Sequence, residues 1–346
     1  MKKSYLKVPA KFESLDYLSQ ITQLNQKNCD KGIAVDETYG CIPLSHIGNA
    51  KAAKDLFSIT LEQLSTYISE SNRYGLKFNY LINSIWSQGI EFYPEGQKQI
   101  IHEIQNLVSC GVENVIVSSP GIIQIIKNEF PALNITLSTN IGICSLHEIF
   151  RWQEVGVDKI VLNRNINRDM KLLKEIQNST PIKIELLLNS MCNLFCSQSQ
   201  YHNLINNTNS NLKTQKFIDS NNPQSQCNCN CVNKPCEMIC AAWIRPEDVC
   251  LYEKIGYSSF KLDGRGMNCN HMLFVIEEYL QRYHEGNFFD LFDFWDSSTN
   301  IKSSLNNRFL DGLVQTMMDD GVNCQICGGR NVHCKKIASK IIFQNI

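Results

Sequence analysis

Short apolar segments of strand length alternate with longer amphipathic segments along most of this chain. The apolar segments are rich in Ile, Val and Leu, which is typical of strands buried on both faces of a parallel sheet. Most are followed by a stretch in which apolar residues recur at spacings of three and four, as on one face of a helix. The predicted strands lie at residues 31–35, 77–85, 114–118, 135–139, 159–162, 182–188, 239–244 and 258–262.

The repeated strand–helix order predicts an α/β fold with a parallel sheet. About eight such units close most naturally as a (β/α)8 barrel of the TIM type, and the length of 346 residues allows one barrel with an appendage. An open, doubly wound sheet is the alternative. No G-x-G-x-x-G motif follows the first predicted strand, which disfavours a dinucleotide-binding sheet of that kind.

Three regions are predicted along the chain. Residues 1–30 form an N-terminal lead-in, residues 31–285 form the barrel, and residues 286–346 form a short C-terminal extension with a cysteine-rich tail. Within the barrel, residues 203–235 are crowded with Asn, Ser and Gln and lack periodicity. They predict a long loop between the sixth and seventh strands.

The bulk composition argues against several classes of partner. The formal net charge of −1 gives no field of one sign over the whole surface, so broad electrostatic capture of nucleic acid or of an anionic membrane is not expected. No apolar run is long enough to span a membrane. No apolar core follows the N-terminal lysines, so a secretory signal is not expected either. We therefore expect a cytoplasmic protein without membrane attachment.

The sixteen cysteines are unusually many for a cytoplasmic chain, where clustered thiols bind metal more often than they form disulfides. Cys192 and Cys196 follow the sixth predicted strand in MCNLFC, and Cys236 and Cys240 precede the seventh in PCEMIC. Both loops would emerge at the same barrel mouth, where active sites gather. Four thiolates suit tetrahedral zinc or a cubane cluster. The C-x3-C spacing favours a [4Fe–4S] cluster, because zinc knuckles prefer C-x2-C.

Other cysteines compete for a place in this ligand set. Cys41 follows the first predicted strand, Cys231 ends the CNCNC run of the long loop, and Cys250 lies in PEDVC. Each is a reserve ligand.

The tail carries a separate motif, CQICGGRNVHC, in which a C-x2-C pair precedes Gly-Gly. This spacing is typical of a metal knuckle and predicts zinc or a second cluster that is completed by a ligand from elsewhere. The cysteines of this second candidate site are Cys324, Cys327 and Cys334.

Several segments resemble the collagenase-like peptidases, family U-32. LSTNIGICSLHEIFRWQEVGVDKIVLNRNI, at 137–166, is similar to a signature of that family, and IELLLNSMCNLFC is similar to its next strand and first cysteines. The most specific match is WIRPEDVCLYEKIGYSSFKLDGR, at 243–265, which resembles a segment ending in F-K-[IL]-x-G-R. EGNFFDLF resembles a downstream element, so the resemblance extends from residue 32 to residue 292.

The resemblance carries implications for chemistry. Besides presumed peptidases, the family includes oxygen-independent hydroxylases that use a four-cysteine iron–sulfur cluster. Some of these take the oxygen atom from prephenate, and their targets include ribosomal RNA, transfer RNA and ubiquinone precursors. The resemblance implies that the cluster ligands are Cys192, Cys196, Cys236 and Cys240, with Cys41 contributing in one branch.

Polar and cationic residues are predicted at the strand ends that meet at the mouth. Such groups would hold an anionic co-substrate such as a dicarboxylate, for which prephenate is one candidate, with arginine binding in bidentate fashion. The predicted substrate-binding residues are Asn140, Arg164, Asn189, His202, Arg245, Lys261 and Arg265.

Three functions remain open at this point. The first is an iron–sulfur enzyme, an oxygen-independent hydroxylase or modifying enzyme that acts on RNA, a peptide or a small metabolite. The second is a collagenase-like peptidase, for which neither G-x-S-x-G nor H-E-x-x-H occurs, although Cys196 and His202 could form a nucleophilic dyad. The third is a cluster-bearing subunit of a heterodimer, with the aromatic run at 288–295 as its interface.

Overall fold

A closed barrel of parallel strands forms the body of the molecule. The computed structural model describes residues 3–214, 233–293, 301–322, 324–327 and 331–345. Each barrel strand pairs with the next, and the eighth pairs with the first, which confirms the predicted (β/α)8 barrel. The strands are β1 (Ser4–Pro9), β2 (Ile33–Gly40), β3 (Lys77–Ile82), β4 (Asn114–Val117), β5 (Asn134–Leu137), β6 (Lys159–Val161), β7 (Lys183–Leu187) and β8 (Ser259–Lys261).

Helices connect the strands on the outside of the barrel. Several begin at side chains that cap the first turn: Thr60 forms a capping box with Gln63, and Ser119, Ser145 and Asp169 each accept a backbone N–H. The helices are α1 (Asp16–Lys27), α2 (Leu61–Arg73), α3 (Pro94–Ser109), α4 (Pro120–Glu129), α5 (Leu146–Val155), α6 (Met170–Ser179), α7 (Ser199–Ser210), α8 (Pro235–Cys240), α9 (Val249–Lys254) and α10 (Cys269–Gln281). None of the helices in the described part of the chain is long and apolar enough to cross a membrane.

The first barrel strand differs from the prediction. Residues 1–30 are not a lead-in, because they supply β1 and α1. β1 closes the barrel: Leu6 pairs with Val35 on β2 and with Phe260 on β8. The lysine in SYLKVP interrupts the apolar pattern, so the sequence pattern did not predict a strand there. In the folded chain Lys7 is buried, and its ammonium nitrogen lies 2.6 Å from a carboxylate oxygen of Asp36.

The seventh predicted strand, residues 239–244, is absent from the barrel. Its first residues end α8, and β7 pairs directly with β8. The backbone N–H of Ile244 donates to the carbonyl of Leu188, 2.7 Å away, just beyond β7. All six residues are buried. Their apolar character therefore reflects burial, which periodicity alone cannot separate from strand pairing.

The predicted long loop at 203–235 begins as helix. Residues up to Ser210 belong to α7, and the hydroxyl of Ser210 donates to the carbonyl of Asn49 at 2.6 Å. Polar side chains near its end are buried, so the Asn-rich composition conceals a packed helix here. Residues 215–232, with the reserve ligand Cys231, lie outside the described residues.

The C-terminal extension packs against the barrel. β9 (Ile301–Ser304) pairs antiparallel with β10 (Ile342–Asn345), and three short helices lie between them. They are α11 (Leu313–Asp319), α12 (Cys324–Cys327) and α13 (Val332–Ala338), and α13 packs on α8 of the barrel. The aromatic run proposed as an interface is buried where it is described: the ring of Phe288 meets Trp243 edge to face, with centroids 4.9 Å apart.

Candidate functional site

A cavity of about 250 Å³ opens at the carboxyl ends of the barrel strands. It lies at the end of the barrel where (β/α)8 enzymes carry their active sites. The loops after β5, β6 and β7 and the end of β8 supply its walls. All of the predicted substrate-binding residues except Arg245 line this cavity, and so do Cys192 and Cys196.

Two cationic side chains that line the cavity, Lys261 and Arg265, are held in place by contacts with Tyr39 and Asn49. The Lys261 ammonium lies 3.7 Å from the centroid of the Tyr39 ring. Burial lowers the pKa of Lys261 to about 8, although Glu185 and Glu37 in the barrel interior partly oppose the shift. Arg265 donates through NH1 to the side-chain oxygen of Asn49 at 3.1 Å. Both groups thus have fixed positions from which they can meet an anionic ligand.

Two other polar groups in the cavity wall lack partners. Nε of Arg164 and Nε2 of His202 are buried without a hydrogen-bond partner among the described residues. Burial and the nearby Arg164 charge lower the pKa of His202, so its imidazole is neutral at neutral pH. A buried polar atom without a partner costs ~1–3 kcal/mol. A bound ligand with acceptor oxygens would recover part of that free energy at Arg164.

The two predicted asparagines have different surroundings. The Asn140 amide donates to the carbonyl of Asn83 at 3.1 Å and still lines the cavity. The Asn189 amide donates to the carbonyls of Asp263 and Leu291, and its oxygen accepts the N–H of Asp263 at 2.6 Å. Asn189 therefore positions the loop after β8, and its amide is engaged by the backbone.

Arg245 does not face the cavity. It is only 1% exposed, and its guanidinium binds Asp248 through two nitrogens, at 2.9 and 3.3 Å. Its third nitrogen donates to the carbonyl of Asn307 and to Asp311. The prediction that Arg245 binds substrate is corrected by this placement. The residue fastens the C-terminal extension to the barrel, because its Nε and NH2 bind Asp248 of the barrel while its NH1 binds Asn307 and Asp311 of the extension.

Cys192 and Cys196 are half-buried in the cavity wall. Their loop is tied to α8 by a hydrogen bond from the side chain of Asn193 to Glu237, 2.8 Å long. Partly exposed thiols in a cavity wall that also carries arginine and lysine suit a cluster, because thiolates and cluster together carry negative charge. The donor set at the cavity fits an iron–sulfur group in kind, and these two cysteines would hold one side of it.

The second predicted pair lies among the thiols of the tail. The sulfurs of Cys236 and Cys240 are 4.0 Å apart, and Cys334 lies on α13, the helix that packs on α8. Interaction with Cys334 and burial raise the pKa of Cys240, and the same interaction lowers the pKa of Cys334. In the described ranges, no three His, Cys, Asp or Glu side chains are already grouped to hold a metal ion. The four-cysteine ligand set stays a prediction.

The remaining reserve ligands lie in different places. Cys41 is buried near the mouth, 3.7 Å from NH1 of Arg265. Cys250 is exposed on α9, and its thiol contacts the carbonyl of Glu247 at 3.4 Å. Of the two, only Cys41 stands beside a residue that lines the cavity.

The sequence analysis did not identify two basic residues of this region, Lys51 and Arg168. Lys51 lines the cavity and forms an ion pair with Asp293 at 3.3 Å. Arg168 is buried, and its guanidinium stacks on the Trp243 ring at 4.2 Å. Neither lies in a recognisable motif. Arg168 follows Arg164 by four residues in NRNINR, and only the fold separates their surroundings.

Comparison with known proteins places this architecture in a family. The model of peptidase family U32 matches residues 48–288, which include most of the barrel and both C-x3-C pairs. The chain belongs to peptidase family U32. A relative from Methanocaldococcus jannaschii, described as the uncharacterized protease MJ1657, is 26% identical over 341 residues, covering 96% of this chain and 97% of that protein.

Other similar proteins have a described role in RNA modification. The tRNA hydroxylation protein P of Escherichia coli is 25% identical over 155 residues, which cover 44% of this U32 chain and 32% of that protein. The tRNA hydroxylation protein P1 of Bacillus subtilis is 22% identical over 231 residues, covering 64% and 53% respectively. The chain therefore matches about half or less of these hydroxylation proteins.

A solved structure supports the fold. The U32 peptidase Mk0906 superposes with a TM-score of 0.54 at 14% identity, covering 76% of this chain and 93% of that one. At this level of identity, the likeness concerns the fold alone.

Proposed function

We propose that this U32 chain is an iron–sulfur-dependent enzyme that hydroxylates, or otherwise modifies, a substrate held at the barrel mouth. The observation that carries the proposal is the pairing of two cavity-facing thiols, Cys192 and Cys196, with a cation-rich wall. That wall contains the unpartnered Nε of Arg164. In a cavity that binds no ligand, the buried N–H donors of the wall are normally hydrogen-bonded within the protein.

The proposed reaction is the transfer of one oxygen atom. The substrate C–H becomes C–OH while one C–OH group of an anionic organic donor such as prephenate becomes C–H, so the two-electron oxidation of the substrate is balanced by a two-electron reduction of the donor. An iron–sulfur cluster, when bound, would supply one-electron chemistry beside this donor. Arg164, Lys261 and Arg265 would bind the carboxylates of the donor, and His202, as a neutral imidazole, would orient a hydroxyl group.

RNA is the substrate that the rim of the cavity favours. Exposed aromatic side chains stand on the loops that follow β2, β3 and β7, which emerge at the mouth. Aromatic rings exposed in this way stack on unpaired bases and are worth ~1–3 kcal/mol per base. The likeness to tRNA hydroxylation proteins supports the same choice. We call the following set the aromatic rim: Phe57, Trp86, Phe92, Phe195 and Tyr201.

The direct test is an oxygen-free assay of the purified protein with unmodified transfer RNA and prephenate. The expected product is a nucleoside heavier by one oxygen atom, detected by mass spectrometry of the digested RNA. Omission of prephenate should abolish the product, and the Cys192→Ser variant should give none. Release of peptides from denatured collagen by the same preparation, with unchanged RNA, would favour the peptidase instead.

The peptidase alternative receives less support from the geometry. A Cys196–His202 dyad requires that the imidazole accept the thiol proton through a hydrogen bond. Both residues line the cavity, yet Nε2 of His202 has no partner among the described residues. The heterodimer alternative also weakens, because the described part of the aromatic run is packed inside the protein.

Binding of the anionic co-substrate is expected to weaken as the pH rises through the pKa of Lys261. The ammonium is charged below a pKa of about 8 and neutral above it. Loss of one charged hydrogen bond, worth ~1.5–3 kcal/mol, should raise the Kd of prephenate by about tenfold or more. Calorimetric titrations on either side of that pKa measure the effect. Lys261→Arg should bind with little pH dependence, and an equally steep fall in that variant would contradict the assignment.

Truncation of the aromatic rim is expected to weaken RNA binding. Trp86→Ala should raise the Kd of transfer RNA by about 5- to 150-fold, since one stacked base contributes ~1–3 kcal/mol. Prephenate binding should not change. Phe150→Ala is the matched control, because Phe150 on α5 is 41% exposed and Trp86 is 42% exposed. Equal losses in fluorescence-anisotropy titrations of the two variants would remove the rim from the substrate site.

A further inference from the structure

One helix crosses the mouth of the barrel and covers part of the cavity. α7 follows β7, and its end pairs with the loop after β2, while β8 and β1 lie between these two strands in the barrel. Its residues that line the cavity recur at spacings of three and four, so one face of α7 is turned towards the cavity. They are Ser199, His202, Asn203 and Asn206.

Hydrogen bonds hold both ends of α7. At its beginning, the backbone N–H of Ser199 donates to the carbonyl of Cys196 at 3.1 Å. At its end, the hydroxyl of Ser210 donates to the carbonyl of Asn49 at 2.6 Å and accepts the N–H of the same residue at 2.8 Å. The helix is therefore fixed over the cavity, and the side chains of its inward face start from defined positions before a ligand binds.

The inward face of α7 is polar but uncharged. The helix contains no Asp, Glu, Lys or Arg, and its His202 is neutral because burial and the Arg164 charge lower the pKa of the imidazole. The amides of Asn203 and Asn206 are half-buried in the cavity wall, and among the described residues they have no hydrogen-bond partner. This face therefore offers free hydrogen-bonding groups to a ligand.

The chemistry of these amides differs from that of the cationic wall. Each amide carries two N–H donors beside an acceptor oxygen. A carboxylate uses only the donors of an amide, and Arg164, Lys261 and Arg265 already suit a carboxylate better. The edge of a nucleobase presents donors and acceptors side by side, so it can engage both halves of an amide. The inward face of α7 thus favours an unpaired base over an anion.

We propose that Asn203 and Asn206 form a base-recognition subsite of the cavity, in which their amides bind the hydrogen-bonding edge of one unpaired nucleobase. This subsite rests on the proposed action on RNA and adds specificity residues to it. The anionic oxygen donor occupies the cationic wall, and the base lies against α7. A base without a matching edge leaves the amides unpaired and is rejected for that reason.

The test is a double-mutant cycle on the full-length protein with two RNA hairpins. One hairpin carries the nucleotide that the wild-type protein modifies, identified by mass spectrometry, and the other has an abasic site at that position. Asn203→Ala with Asn206→Ala should raise the Kd of the first hairpin by about 5- to 100-fold, since each neutral hydrogen bond contributes a factor of about 2–10. The Kd of the abasic hairpin should stay within a factor of about two, because the amides have no base to bind there.

The control variant is Gln200→Ala, an exposed amide of α7 that does not line the cavity, and it should bind both hairpins as the wild type does. Prephenate affinity should be unchanged in all of these variants, which also checks their folding. If the double variant did not fold, Asn203→Ala and Asn206→Ala alone should each show about 2- to 10-fold of the same selective loss.

Two results would overturn the subsite while leaving the proposed function intact. They are an equal loss of affinity for both hairpins, as expected of contacts with the RNA backbone, and unchanged affinity for both. A wild-type protein that modifies no RNA would instead overturn the proposed action on RNA, and the subsite with it. The wild-type assay therefore separates the two failures.

Discussion

Cys192→Ser is expected to remove iron and labile sulfide from the mouth and to abolish substrate modification. Changes to residues that only support metal ligands already cost about 10- to 100-fold in activity or affinity. Loss of a ligand should exceed that, so activity should fall more than about 100-fold. Iron, sulfide and product formation are measured on the same oxygen-free preparation. Cys196→Ser should behave alike, because both thiols face the cavity.

The control for this prediction is Cys110→Ser. Cys110 ends α3 on the outside of the barrel, where its thiol contacts the carbonyl of Leu61. The variant should keep its iron and full activity. If Cys192→Ser and Cys196→Ser both retained iron and sulfide at the level of Cys110→Ser, the assignment of these cysteines to a cluster would be wrong.

Arg245→Ala is expected to lower the free energy of unfolding by about 3–5 kcal/mol. That is the range observed when one partner of a buried ion pair is removed. The variant would leave Asp248 buried without its bidentate partner and would release Asn307 and Asp311 of the extension. Urea titrations followed by circular dichroism measure the loss. Prephenate affinity of the folded variant should stay within a factor of two or so of wild type, since Arg245 lies outside the cavity.

Arg282→Ala provides the matched comparison. Arg282 also binds a carboxylate through two nitrogens, at 2.8 Å from each Glu253 oxygen, but its side chain is 22% exposed. Surface pairs of this kind contribute ~0–1 kcal/mol. A loss for Arg245→Ala no larger than that for Arg282→Ala would contradict the anchoring role. A selective loss of prephenate binding would restore Arg245 as a substrate residue.

The fold was largely predictable because parallel strands buried on both faces leave apolar runs in the sequence. The prediction was wrong where local composition and tertiary environment disagree. Lys7 interrupts β1 in the sequence, although its charge is neutralised by Asp36 inside the fold. Residues 239–244 have the opposite character. They are apolar enough for a strand, but they are buried at the end of α8 and just after it, without joining the barrel.

The candidate site was predictable in part for a topological reason. Residues that follow parallel strands meet at one mouth, so Arg164, His202, Lys261 and Arg265 were expected to converge, and they do. Arg245 follows a segment that is not a barrel strand, and the same reasoning placed it wrongly. The packing of α13 on α8 joins segments whose cysteines, Cys240 and Cys334, are 94 residues apart along the chain. No local pattern predicts such packing, and the stacking of Arg168 on the Trp243 ring is visible only in the folded chain.

Metal analysis of the wild-type protein purified without oxygen tests the proposed chemistry most directly. Iron, acid-labile sulfide and zinc are measured together with the visible spectrum. We predict about four irons and four sulfides per chain with a broad absorbance near 400 nm, as expected of a cubane held by thiolates. Protein from iron-replete cells that holds neither iron nor labile sulfide would contradict an iron–sulfur enzyme at the barrel mouth.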